Sequence, residues 1–463
     1  MAALPGADLI VLAGETVTMN DEREVLEGAG IVVRTGEIVA IDSADACRQA
    51  HPDAEVLDAS DALVMPGLVD VHQHLTGDRL VRCSIPDDLP PGESIFAWAV
   101  PVHGAHTAAD DRLAATLACA EAVTNGVTTV AEAGTVAHPL EVAAAMREVG
   151  VRGLVGRWGW DVDDAPFAAP VHEVLAAQRE LLDALADDPL LDGWVTLVGH
   201  DLMSDELVIG ASELAATAGS RLTFHISPGP GDAEQYLART GRRPLVHLDS
   251  LGALGPHVVL GHAVHLDDAE IDIAVSTGCA VAYCPLAYLR LGQGVSRAGR
   301  HAELWRRGAA VGLGCDSENA GDMIDVLAAA RAAAGLAKDA SLDPTAFGAH
   351  DALGMATIGG ARALGLDGLI GSIELGKRAD LVVHDLSGPN WAPRGADPAL
   401  ELVWGTDGRS VRDVLIDGRP IVRDGVLRTV DVSARRDAAA DARTALIARS
   451  GIEPRCRWPR RRL

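Results

Sequence analysis

Residues 66–75 read Pro-Gly-Leu-Val-Asp-Val-His-Gln-His-Leu, a short apolar run that ends in His72 and His74. Two positions apart on an extended chain, both imidazoles face the same side of a strand. Seven more apolar runs follow: 127–134 (VTTVAEAG), 150–160 (GVRGLVGRWGW), 194–201 (WVTLVGHD), 221–227 (RLTFHIS), 257–264 (HVVLGHAV), 279–285 (CAVAYCP) and 309–316 (AAVGLGCD). Helix-like stretches such as 110–126, 139–150, 172–186, 205–219 and 267–278 separate them. Eight near-continuously apolar strands alternating with helices predict an α/β chain whose residues 64–365 form a parallel (β/α)8 barrel.

Outside that stretch the texture changes. Residues 7–19 and 28–42 near one end, and 371–386 and 409–425 near the other, read as short strands punctuated by Gly, Asn and Asp. They predict a small β-sandwich domain assembled from both termini, 1–63 with 366–430. Residues 431–463 read as a helical tail with a loose basic end, CRWPRRRL.

The chain has 463 residues, 66 acidic and 39 basic, a net charge of −27. Such a charge repels nucleic acid and anionic membranes, which leaves a small molecule as the expected partner. No run approaches the 18 apolar residues of a membrane span. Seven cysteines without a C-x-x-C pair read as reduced thiols, and the first residues lack the pattern of a signal peptide. Both point to a cytoplasmic protein.

Histidines mark the ends of the runs. Beside His72 and His74, His200 ends the fourth, His225 the fifth and His262 the sixth, while Asp316 ends the eighth. In a barrel all these ends meet at one mouth, where such folds keep their chemistry. A single strand-end histidine is ordinarily a packed side chain; five at one mouth suit a divalent metal, Zn or Fe.

The motif PGLVDVHQHL resembles the opening of the amidohydrolase superfamily, and GSIELGKRADLVV resembles its C-terminal signature. The segments GHAVHLDDAEI, AVAYCPLAYLRLG and GLGCDSENAGDMIDVL resemble the branch of cytosine, guanine and adenosine-type deaminases and triazine hydrolases. The resemblance implies that His72, His74, His225 and Asp316 hold one metal, zinc first and iron second. It implies His262 and Asp316 as catalytic groups and His200 and His262 as substrate-side groups. Many binuclear relatives bridge two metals with a carboxylated lysine on the fourth strand. The only lysines here are Lys338 and Lys377, outside all eight runs, so a single metal is expected. Relatives also make a dimer or larger homo-oligomer the expected assembly.

One departure bears on the reaction. Deaminases of this branch carry a glutamate three residues after the strand-five histidine, and here that position is Pro228, which has no titratable group. His262, His200, Asp232, Glu318 and Glu132 are the candidates to move a proton in its place, though each carboxylate also reads as a solvated loop group. The expected activity is hydrolysis of a C–N bond of a planar N-heterocycle, most naturally deamination. The alternatives are a cyclic amide or carbon–halogen bond, since a halide leaves without a proton, and a catalytically silent binding protein. Cys284-Pro285-Leu286-Ala287-Tyr288 departs from the C-P-x-S-N of relatives. The Pro-rich loop 74–98 reads as a lid, and Trp158 and Trp160 read as stacking or core residues.

Overall fold

All eight expected strands form. In the computed structural model, which describes residues 9–134, 137–162 and 166–461, they are β1 (Leu68–Gln73), β2 (Val127–Glu132), β3 (Arg152–Val155), β4 (Val195–Gly199), β5 (Leu222–Ile226), β6 (Val258–His262), β7 (Ala280–Tyr283) and β8 (Val311–Leu313). The first eight positions of the N-terminal segment and the last two of the basic tail lie outside the described residues. Parallel ladders join β1 to β3 and β4 to β8. A short strand, Leu191–Gly193, pairs with β3 and leads into β4. The ring closes between β8 and β1, where the Asp316 N–H donates to the His72 carbonyl at 2.9 Å. Every residue of β1, β2, β5, β6 and β7 is buried, because barrel side chains and outer helices cover both faces.

The termini form the expected second sheet. Nine strands join it, with the long Glu55–Pro66 strand at its centre, flanked by Leu9–Val17 on one side and Leu381–Asp385 on the other. The strands run in one sheet, which curls until the turns at Gly36 and Gly418 touch. Val11, Ile31, Leu57, Val64, Leu381 and Leu415 share one core inside the curl. The Glu55–Pro66 strand is separated from β1 by Gly67 alone, so the sheet is rigidly continuous with the first site-bearing strand.

The lid and the tail belong together. After β1 the chain makes a 3-10 turn, Arg79–Val81, then helical turns through Gly104 before the long helix Ala108–Thr124. That helix starts at Thr107, whose hydroxyl and Asp110 form a reciprocal capping box. The tail helix, Val432–Ser450, lies across all of this. Leu446 and Ile452 bury with Leu80, Val81, Val102 and Ala114; at about 1.5–3 kcal/mol for each large buried apolar side chain this is a substantial seam. Arg443 donates to Ser84 Oγ at 2.9 Å, Arg449 pairs with Asp110, and Arg457 pairs with Asp88. The end of the chain is therefore a strap over the lid. Among the described residues no helix is long and apolar enough to cross a membrane.

Candidate metal centre

Strand ends place the donors, and the backbone bends to aim them. Gly199 has φ +82, and a Cβ there would lie 2.2 Å from the His225 carbonyl oxygen, so only glycine lets β4 approach β5 so closely. His200, His262 and Asp316 take left-handed φ values of 53, 75 and 64. Such backbone costs on the order of 1–3 kcal/mol per residue and persists where the surroundings over-determine it, typically at functional sites.

The structure brings His72, His74, His225, His262 and Asp316 into one buried cluster. Nε2 of His74 lies 3.2 Å from Nε2 of His225 and 3.4 Å from an Asp316 oxygen. His225 donates its Nδ1 proton to the Val198 carbonyl, which leaves its Nε2 as a lone pair facing His74. The His72 ring stands about 5 Å from those of His74, His225 and His262, and neither of its nitrogens has a hydrogen-bond partner. Converging lone pairs without protons between them fit a cation. Burial, followed by the neighbouring imidazoles, holds His72 and His74 well below the usual histidine range; burial and His200 take His225 to about 4. Burial pushes Asp316 up to about 7. The donor chemistry, three neutral imidazoles and one carboxylate, is that of a zinc or iron site.

His262, within the cluster, and His200, at its edge, each have partners of their own. His262 points Nδ1 at the Tyr288 hydroxyl, 3.3 Å away, and stands 4.0 Å from Asp316; its carbonyl accepts from His301 at 2.7 Å. His200 stacks parallel on His225 with ring centres 5.5 Å apart. Its Nδ1 lies 3.1 Å from both oxygens of Asp232, whose carboxylate also accepts the Ser227 N–H at 2.8 Å. Burial works against charge on His200, yet Asp232 holds its pKa above the usual value. His200 keeps a side chain 30% exposed at the mouth.

The other expected carboxylates are engaged elsewhere. Glu132, at the end of β2, accepts the Gly134 N–H at 2.8 Å. Glu318 pairs with Arg79 at 3.2 Å, and its burial outweighs that pairing and takes it to about 7. Trp158 and Trp160 bury against each other, with Trp158 edge-on to His103. His103 in turn pairs with Asp78 at 3.2 Å and ties the lid to the loop after β1. Sequence reasoning missed Cys284 as a donor. It follows β7 as His200 follows β4, so the same strand-end rule applied to thiols would have found it.

Comparison with known proteins places the chain in a family. The model of the amidohydrolase family matches residues 63–421. A 5-methylthioadenosine/S-adenosylhomocysteine deaminase of Syntrophobacter fumaroxidans is 32% identical over 426 residues, 92% of this chain and 95% of that protein. One of Natronomonas pharaonis is 33% identical over 423 residues, 90% and 93%. The crystal structure of an adenosine deaminase from Xanthomonas campestris with bound zinc superposes with a TM-score of 0.90 at 31% identity, covering 96% of this chain and 99% of that one. An atrazine chlorohydrolase from Arthrobacter aurescens complexed with zinc shares the fold, with a TM-score of 0.85 at 24% identity over 95% and 100%. A match of that length, on a barrel whose strand ends carry these donors, makes the chain a member of the amidohydrolase family, a metal-dependent hydrolase acting on C–N bonds.

Proposed function

We propose that this enzyme removes an amino group from a small aminopurine-like heterocycle, using one zinc ion and a His200–Asp232 pair where relatives use a glutamate. The observation that carries the reading is the 3.1 Å contact between His200 and Asp232 beside the cluster. His72, His74, His225 and Asp316 would hold the ion, with iron as the alternative metal. Zinc there supplies an acidified water, its pKa brought from 15.7 towards about 7.

The chain's own groups then handle protons. Asp316 accepts the proton that the attacking water gives up. The Tyr288 hydroxyl, which accepts from the Cys284 N–H at 2.9 Å, shares its proton between the Ala282 carbonyl at 3.4 Å and Nδ1 of His262 at 3.3 Å. His262 is thereby left with its proton on Nε2, the end that donates to a ring nitrogen or developing charge of the substrate. His200 keeps Nδ1 on Asp232 and offers the Nε2 proton to the departing amino nitrogen, the step Pro228 cannot perform. The relatives named as adenosine-type deaminases support the purine class.

Zinc content and ammonia release from adenosine, methylthioadenosine, guanine, pterin and aminotriazine solutions test this reading. About one zinc per chain with ammonia from a purine is the expected result; one zinc with no ammonia from any of them overturns it. Pro228 favours a second reading, displacement of a halide, which needs no proton donor; chloride release from a chlorotriazine separates the two.

A further inference from the structure

The Cys284 thiol makes a second donor set beside the first. Its sulfur, a ring nitrogen of His72, a ring nitrogen of His262 and an oxygen of Asp316 all lie within 4.8 Å of one another, and all four side chains are buried. The set overlaps the first one, His72, His74 and His225, at His72. It also shares Asp316, which touches His74.

His72 is the independent sign. An imidazole that ligates a metal through one nitrogen ordinarily donates the other to a carbonyl, carboxylate or water. His225 does so through Val198. His72, 1% exposed, has no partner at either nitrogen, so one cation leaves a buried nitrogen unanswered. Tyr288 meets the His262 ring at Nδ1 and His301 holds the His262 backbone carbonyl, so ring and backbone each have a fixed partner.

We propose that this set binds a thiophilic divalent cation, with Cys284 as thiolate ligand, adjacent to the ion of the first set. Binding breaks the Cys284 S–H bond and the remaining His72 N–H bond, forms a sulfur–metal and a nitrogen–metal bond, and releases two protons to solvent, with no change of oxidation state. A thiolate selects zinc or cadmium over magnesium, calcium or manganese. Tetrahedral ligation, with metal–sulfur about 2.3 Å and metal–nitrogen about 2.0–2.1 Å, needs the donors to draw together by roughly an ångström. Occupancy takes His262 and Asp316 away from the substrate, so this second ion inhibits.

The test uses full-length protein carrying Cys83→Ser and Cys456→Ser, which removes the two exposed thiols. The protein is loaded with one zinc and titrated with cadmium. The expected result is uptake of one cadmium, a thiolate-to-cadmium absorption in the near ultraviolet, two protons released, and at least a tenfold loss of activity with the zinc retained. Cys284→Ser keeps the zinc and loses both the band and the second equivalent. His262→Asn, which leaves the first set and the thiol intact, also loses the second equivalent and covers the case in which the serine variant fails to fold. No cadmium uptake by the zinc-loaded protein, or a band that survives Cys284→Ser, overturns the inference. Failure to bind the first zinc is a different result, and it sinks the deaminase reading instead.

Discussion

Among the described residues two histidine clusters, one reaching the surface at His138 and one wholly buried, solve the same problem in opposite ways. At the start of the helix Ala108–Thr124, Asp111 sits between His106 and His138, with each Nδ1 at 2.8 Å from one of its oxygens. Burial raises that carboxyl, but the two imidazoles outweigh it and keep Asp111 below the usual range. At the mouth, His72, His74 and His225 crowd each other and the nearest carboxylate, Asp316, is itself pushed up to about 7 by burial. The first cluster carries its own carboxylate, which answers one nitrogen of each ring. The second becomes complete when a cation arrives, which is the difference between a clasp and a binding site.

The largest expected effect breaks the second cluster. His74→Ala or Asp316→Ala removes one of the proposed ligands; metal content falls from about one towards zero, and activity falls by about 10³-fold or more. Elemental analysis beside a rate assay checks it, and a fully metallated Asp316→Ala protein contradicts the assignment.

Asp111→Ala breaks the other cluster. It leaves His106 buried with no acceptor and costs about 2–4 kcal/mol of unfolding free energy, while zinc content stays near one. Denaturant unfolding and metal analysis of the same sample separate the two roles. Loss of zinc there would erase the contrast.

Asp232→Asn sharpens the comparison, because Asp232 is the carboxylate that does answer a histidine at the mouth. We expect kcat to drop by about 10²-fold with zinc retained. Asp232 raises the pKa of His200, and the proton-donating form is the one below that pKa. Without Asp232 the alkaline limb of the kcat profile therefore moves to lower pH; an unmoved limb would leave Asp232 with a purely structural role.

The smallest effect concerns a histidine with neither cation nor carboxylate. His384, wholly buried in the terminal sheet, hydrogen-bonds Ser410 at 2.8 Å, and burial takes its pKa from 6.5 to about 4. Between those values the unfolded chain binds a proton that the folded chain does not. Stability contributed there is complete above pH 6.5 and declines as pH falls towards about 4, by roughly 2 kcal/mol from pH 7 to pH 5. Urea unfolding at both values should show that loss in the natural chain and a flatter response in His384→Leu.

Much of this was legible because barrel strands encode their own geometry. An apolar run buried on both faces announces a strand, and a polar donor at its end announces the mouth, so His72, His74, His200, His225, His262 and Asp316 could be placed before any coordinates. Asp232 could not be singled out from four rivals, because its reach depends on how the helix Pro230–Thr240 leaves β5, and no sequence period records that turn. Cys284 carries no comparable signal in the sequence, since a buried thiol packs as readily as it ligates. The clasp joins residues 27 positions apart, His138 and Asp111, across two elements with no shared pattern. The tail read as a helix, and the helix Val432–Ser450 forms, but its docking on the loop after β1 was not legible, because its docking face is a few apolar residues among many alanines and arginines.

That docking also sets an order of events during synthesis. The strap residue Arg443 and its lid partner Ser84 are 359 positions apart. At about 5–20 residues per second, the lid waits roughly 20–70 s on the ribosome before the helix that covers it is made. Through that interval Leu80, Val81 and Val102 lack the apolar partners Leu446 and Ile452 that later cover them.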